Sequence, residues 1–256
     1  MTDDILFSIE DHVATLTLNR PSKLNAMTPA MIADLQIHVT TVNASRDIWA
    51  LVLRASGEKS FCAGSDIRGL DDYEDLWAIR NRPDYCDAVR GVTKPVVCAI
   101  NGYTFGGGLE MALSSDIRIA SPNATFAAPE VKLGWIGGGG MTYQLAHSIG
   151  PSNASLMLYT GDPVDAETAL RWGLISEILP LSELHARADA LAKTIASRAP
   201  IAAQTGKLNL RAAYSMNRED AVRYERDLQT ICFATADAAE GRAAFKDKRA
   251  PHYKGK

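Results

Sequence analysis

No two cysteines of this chain form a C-x-x-C pair. Cys62, Cys86, Cys98 and Cys232 are the whole complement, scattered singly and without histidines at ligand spacing. A zinc or iron–sulfur centre as organising feature is thereby excluded and no metal site is expected. The four thiols read as reduced, mostly buried side chains of a cytoplasmic protein. Excess positive charge is missing too: 27 Lys and Arg against 30 Asp and Glu give a net charge of −3. Sequence-independent attraction to nucleic acid or to an acidic bilayer has no source in such a composition. No apolar run reaches the roughly 18 residues that span a membrane. The acidic start, Met1 to Ile5, lacks the basic and apolar regions of a secretory signal. Neither glycine run continues into the Gly-Lys-Ser/Thr that cradles nucleotide phosphates. What these absences leave is a small-molecule role with no nucleic-acid or membrane partner.

What is present is a chain of 256 residues, 46% hydrophobic, enough for one sizeable core. Residues 5–10 and 13–19 alternate apolar with polar side chains and predict a β-hairpin about Glu10-Asp11-His12. Thr28 and Pro29 then open a helix whose apolar positions are Met31, Ile32, Leu35, Val39 and Val42. Residues 49–54 and 95–100 are short apolar runs of the kind buried on both faces of a sheet. Residues 66–90 predict helix in pieces, 109–114 a helix, 117–120 and 124–128 strands, and 141–149 a helix after a second glycine run, Gly137 to Gly140. Beyond Pro151 the pattern is mostly helical, with helices over 181–198, 201–213 and 218–235. Strand, glycine turn, helix and strand in succession predict an α/β core over residues 1–195, with a helical region over 196–256.

Two segments carry the chemistry. Ser60-Phe61-Cys62-Ala63-Gly64-Ser65-Asp66 and Asn101-Gly102-Tyr103-Thr104-Phe105-Gly106-Gly107-Gly108 each place small residues between a strand and a helix start, where unpaired backbone N–H groups collect. Either alone is what an ordinary tight turn looks like. As a pair they can aim two amides at one oxygen, the geometry required where negative charge develops on a carbonyl. Glu110 stands three residues beyond Gly107, and Glu130 follows Pro129; singly, each is an unremarkable helix-start acid.

In this company the sequence resembles the crotonase family, the enoyl-CoA hydratase/isomerase superfamily, over nearly its whole length. The matching motifs run in order: residues 18–26 (Leu-Asn-Arg-Pro-Ser-Lys-Leu-Asn-Ala), 61–67, 101–110, 129–134, 161–174 and 240–249. The resemblance implies a ββα spiral core with a C-terminal helical trimerisation region, and a homo-oligomer that is a trimer or a dimer of trimers. It implies an oxyanion hole from the amides of Ser65 and Gly107, and coenzyme A contacts from Arg20, Lys23, Leu24, Ala63, Asp66, Ile67 and Lys248, with Arg249 beside them. Coenzyme A enters as part of an acyl-CoA thioester substrate, and no permanently bound cofactor is expected. Glutamate at both positions implies hydration of a 2-enoyl-CoA, with Glu110 as base toward water and Glu130 as acid. Related branches that isomerise, or that hydrate and cleave unusual cyclic or aromatic acyl groups, are the alternative.

The chain departs from the usual hydratase pattern after Gly134, at Trp135, Gly137 and Gly140-Met141-Thr142-Tyr143-Gln144. This segment and residues 70–82 are where acyl specificity is expected, with Trp135 and Trp77 as candidate walls of the acyl pocket. A serine hydrolase would require Ser65, Ser114 or Ser115 to meet His147, and nothing in the sequence ties them together.

Overall fold

The computed structural model describes residues 3–66 and 73–256. Strands Ile5–Glu10 (β1) and Val13–Leu18 (β2) pair antiparallel from Ile5 opposite Leu18 to Glu10 opposite Val13. The two turn residues, Asp11 and His12, both have positive φ (48° and 66°). A two-residue hairpin needs that conformation at both positions, and Asp and His tolerate it better than most side chains. The first helix, Pro29–Ala44 (α1), starts with Thr28 accepting from the Met31 amide, and buries Met31, Leu35, Val39 and Val42.

The chain then crosses between two sheets. Ala50–Ala55 (β3) belongs to the first and Ser60–Cys62 (β4) to the second. Two short helices, Leu76–Arg80 (α2) and Tyr85–Arg90 (α3), return it to Val96–Ile100 (β5), which again passes into the second sheet as Tyr103–Phe105 (β6) and a helix, Gly107–Leu113 (α4). Ile117–Ala120 (β7) and Thr125–Ala127 (β8) repeat the crossing and end in a 3-10 turn over Pro129–Leu133. Each turn of this spiral lays its first strand parallel to the preceding one in one sheet and its second strand likewise in the other. This is the α/β spiral core expected from the resemblance.

Period-two alternation explains how β3 and β5 are buried on both sides. Leu51, Leu53, Cys98 and Ile100 face the main core with α1 and α4. Ala50, Val52, Val97 and Ala99 face outward, where Leu184, Ala188, Ala192 and Ala196 of the helix Leu181–Ala196 (α7) cover them. The segment between holds Met141–Thr160 (α5), the two-residue strand Val164–Asp165 (β9), Ala166–Trp172 (α6) and Glu177–Ile178 (β10). The helix expected over 141–149 is longer, but it breaks at Gly150 (φ 76°, ψ 161°) before resuming at Pro151.

The C-terminal helices are Pro200–Ala213 (α8), Arg218–Phe233 (α9) and Ala236–Asp247 (α10). Lys207 of α8 reaches back into the core, donating to the Lys94 carbonyl at 2.7 Å and to Asp116 at 2.6 Å. Burial lowers its ammonium to about 8. The chain end folds back as well: Asp237 accepts from the amides of Lys254 and Gly255, and Tyr253 packs against the outer cluster.

Gly108 decides how closely α4 approaches β4. A Cβ there would lie 2.0 Å from the Cys62 carbonyl oxygen, main chain that cannot swing aside. Gly108→Ala is expected to cost about 3 kcal/mol, read as a lowered urea midpoint with little change in slope.

Candidate active site

The segment after β2 is tied to the first glycine-containing segment by backbone and side-chain bonds. Asn25, fully buried and left-handed (φ 54°), accepts from the Arg20 amide and donates to the Ser60 carbonyl at 2.8 Å. The Met27 amide donates to Gly64, the Asp66 amide to Met27, and the Ala63 amide to Leu24. Arg20 donates from Nη1 to Asp66 at 3.1 Å and to the Ala26 carbonyl at 3.2 Å. Arg20, Leu24, Ala63 and Asp66 are thus brought together, with Lys23 exposed on the same turn. Ile67 and the first three residues of the 70–82 segment lie outside the described residues. Lys248 is exposed at the left-handed cap of α10, and Arg249 is engaged by Glu240 at 2.7 Å.

The two glycine segments meet. Gly64 (φ 95°) lies against the start of α4 so closely that a Cβ on it would be 3.3 Å from the Gly107 nitrogen and 3.3 Å from the Phe105 oxygen. Gly106 caps that helix at φ 56°, ψ −128°, a conformation open to glycine, and its own amide is taken by Ala127. Gly107 is the first helical residue, so no carbonyl of the helix can receive its N–H. Among the described residues, neither the Ser65 nor the Gly107 N–H has an acceptor.

Both acids reach this junction and are held differently. Glu110 rises from the first turn of α4, 5% exposed. Its Oε1 accepts from the amides of Gly139 (2.7 Å) and Met141 (3.1 Å). Burial raises its carboxyl, the negative charges of Glu130 and Asp84 add to the rise, and the two amides oppose it. Glu130, in the 3-10 turn, brings Oε1 to 2.9 Å from where a Cβ on Gly106 would sit. Its Oε2 is buried with no hydrogen-bond partner among the described residues, and burial raises this carboxyl too.

The glycine run after Glu130 is explained by Glu110. A Cβ on Gly137 would fall 2.7 Å from Glu110 Oε1, and one on Gly139 would fall 2.8 Å from Oε2 and 2.9 Å from Cys86 Sγ. Only bare backbone can close around this carboxylate. Arg90 fixes the loop from behind by donating to the Gly139 carbonyl. Tyr85, Cys86 and Arg90 of α3 escaped the sequence reading. They fall in the stretch predicted as helix in pieces, and no periodicity there distinguishes the face turned toward the site.

A cavity of about 360 Å³ opens beside Glu130, lined also by Trp135, Ile136, Gly137, Leu158 and Tyr159. Trp135 is therefore together with the acid. Trp77, 75% exposed on α2, is not among the lining residues. A larger cavity of about 510 Å³, bordered by Arg90, Arg118, His147 and Tyr214, is lined by neither acid. His147 stands between the rings of Tyr143 and Tyr214. The hydroxyls of Ser65, Ser114 and Ser115 are bonded to Tyr85, the Glu110 carbonyl and the Ala112 carbonyl, so no serine–histidine pair forms. Among the described residues, no group of three His, Cys, Asp or Glu could hold a metal ion.

Residues 8–256 match the profile of the enoyl-CoA hydratase/isomerase family. The chain belongs to that family. Its enoyl-CoA hydratase/isomerase relatives include the (E)-benzylidenesuccinyl-CoA hydratase of Thauera aromatica, 37% identical, with 98% of this chain and 99% of that protein aligned. The crotonyl-CoA hydratase of Syntrophomonas wolfei is 34% identical, with 98% of each covered. A crystal structure of the enoyl-CoA hydratase of Bacillus anthracis superposes with a TM-score of 0.93 at 31% identity, covering 99% of this chain and 100% of that one.

The raised Glu110 carboxyl has a consequence for stability. The folded chain binds its proton more tightly than the unfolded chain, whose carboxyl titrates near 4.5. Above that pH the group therefore opposes folding, increasingly until pH passes its folded value. Glu110→Gln keeps an oxygen for the two amides and carries no charge. It is expected to melt higher than the parent at pH 8, with the difference vanishing below pH 4.5, in calorimetric scans across that range.

Proposed function

We propose that this chain is an enoyl-CoA hydratase, adding water reversibly across the 2,3 double bond of a 2-enoyl-CoA thioester. The observation that carries the reading is the meeting of two amides without acceptors among the described residues, Ser65 and Gly107, with two carboxyls, Glu110 and Glu130, at one junction. The thioester oxygen lies between the amides, which oppose the charge that builds as the enolate forms. Water adds at C3 as Glu110 takes its proton, and Glu130 protonates C2; dehydration reverses both transfers. The unequal surroundings of the acids support this division. Two N–H donors favour the carboxylate of Glu110, while Glu130, with an unpartnered buried oxygen, is the one that retains the proton.

Coenzyme A enters as part of the substrate. Its binding is assigned to the segment of Arg20, Lys23, Leu24, Ala63 and Asp66, with Ile67 adjoining. Lys23, exposed on the same turn, is assigned to the nucleotide phosphates, Arg20 being engaged by Asp66. Lys248 serves the same end from a neighbouring copy. Exposed Leu210, Ile231, Phe233 and Phe245 on α8 to α10, with Tyr214 at the end of α8, support a trimer or a dimer of trimers. Of the four unpaired thiols, Cys62, Cys86 and Cys98 are buried, which fits a reducing cytoplasmic compartment. No helix among the described residues is long and apolar enough to cross a membrane.

The cavity beside Glu130, with Trp135 and Tyr159 on its wall, supports a compact or aromatic acyl group over a long alkyl chain. The name of the Thauera relative agrees with an aryl-bearing substrate.

Straight, branched and aryl enoyl-CoA thioesters incubated in heavy-oxygen water, with product mass followed, test the reaction. One heavy oxygen incorporated at C3 is expected. Double-bond migration or chain cleavage without incorporation would instead assign an isomerase or a lyase. Glu110→Gln and Glu130→Gln are each expected to lower kcat by roughly 10²–10⁴ with KM little altered, and normal turnover by either would refute its role.

A further inference from the structure

Tyr85 has no part in the reaction as described, yet its hydroxyl stands at the junction of the two amides. It lies 3.1 Å from Ser65 Oγ. It also approaches the other donor so closely that a Cβ on Gly107 would sit 1.7 Å from the phenol oxygen. The ring is 5% exposed and is fixed at the start of α3, where Asp84 caps the helix through the Cys86 amide at 2.6 Å. Its neighbour Cys86 donates its thiol toward the Gly107 carbonyl at 3.6 Å. The phenol oxygen is therefore wedged between the residues that bear the two amides.

The count of protons gives this placement a meaning. Ser65 Oγ and Tyr85 Oη carry one proton each, and one bond between them uses one proton. Among the described residues neither hydroxyl has a further partner, so the second proton has no acceptor among them.

We infer that Tyr85 is a third donor of the oxyanion hole, its O–H directed at the thioester oxygen while Ser65 Oγ donates back to the phenol oxygen. The inference rests on the hydratase reading and deepens it. Burial, with the neighbouring Cys86, raises the phenol well above its ordinary range, which favours the neutral donor. A phenol is also a stronger hydrogen-bond donor than an aliphatic alcohol. The arrangement accounts for glycine at 107 as well: any side chain there would displace the hydroxyl.

The test uses para-dimethylaminocinnamoyl-CoA, whose absorbance moves to longer wavelength as its carbonyl is polarised. With the parent enzyme, binding is expected to shift the band strongly. Tyr85→Phe should bind the probe with similar affinity, shift it distinctly less, and hydrate an enoyl-CoA about a hundredfold more slowly at unchanged KM. Ser65→Ala keeps the backbone donor but frees the phenol to rotate, so an intermediate shift and a smaller loss of kcat are expected. It also provides the reading should Tyr85→Phe melt too low to assay. A full parental shift and rate in Tyr85→Phe, or in Ser65→Ala where that alone is measurable, overturns the role of Tyr85 and leaves the hole of two amides standing. No shift with the parent enzyme itself would sink the hole and this inference together.

Discussion

The site depends on one close approach of main chain to main chain. Gly64, leaving the strand Ser60–Cys62, lies against the first residue of the helix that begins at Gly107. These segments come from successive turns of the spiral and are far apart in sequence. They meet because the second strands of those turns are adjacent in one sheet and because Gly108 lets the helix settle onto the Cys62 carbonyl. The atoms that Gly64 meets there are all main chain, so the spacing at that point follows the backbone. The same closeness leaves two amides without acceptors among the described residues, a costly state for a buried polar group unless a ligand completes it.

Around that junction the protein keeps two carboxyls in a largely apolar setting and treats them unequally. Glu110 is drawn toward the charged state by the amides of Gly139 and Met141, while Glu130 has a buried oxygen that no described residue satisfies. Both are raised by burial, so the pair holds a proton to a higher pH than free carboxyls would. The asymmetry arises from where the chain supplies N–H groups, and it gives two chemically identical side chains different surroundings.

Much of this was legible in the amino-acid sequence where local physics decides the outcome. The Asp11-His12 turn, the Thr28 cap and the doubly buried runs at 49–54 and 95–100 each carry their cause within a few residues. The glycine segments and the two glutamates were legible as a constellation, through their collinear resemblance to a family. The break at Gly150 was not, since a single glycine before proline does not announce whether a helix stops or resumes. The strands Val164–Asp165 and Glu177–Ile178 are too short to show any period. Tyr85 and Arg90 gain their meaning only from what α3 faces, and Gly137 and Gly139 become intelligible only once Glu110 is seen to fill the space their side chains would take. Trp77 and Trp135 looked alike as aromatic candidates; one is in solvent and the other beside the acid, a difference settled by tertiary packing.

The enclosure of Glu110 by peptide groups also bears on how such a protein can diverge. Because Gly139 and Met141 contact the carboxylate through their amides, the chemical group is anchored to main-chain atoms, with positions 137 and 139 held to glycine by the space it fills. The neighbouring side chains at 135 and 136, both exposed, are left free to be exchanged. The bonds to the acid and the lining of the cavity thus occupy the same loop yet answer to separate parts of the polypeptide, and a lineage can retune one without dismantling the other.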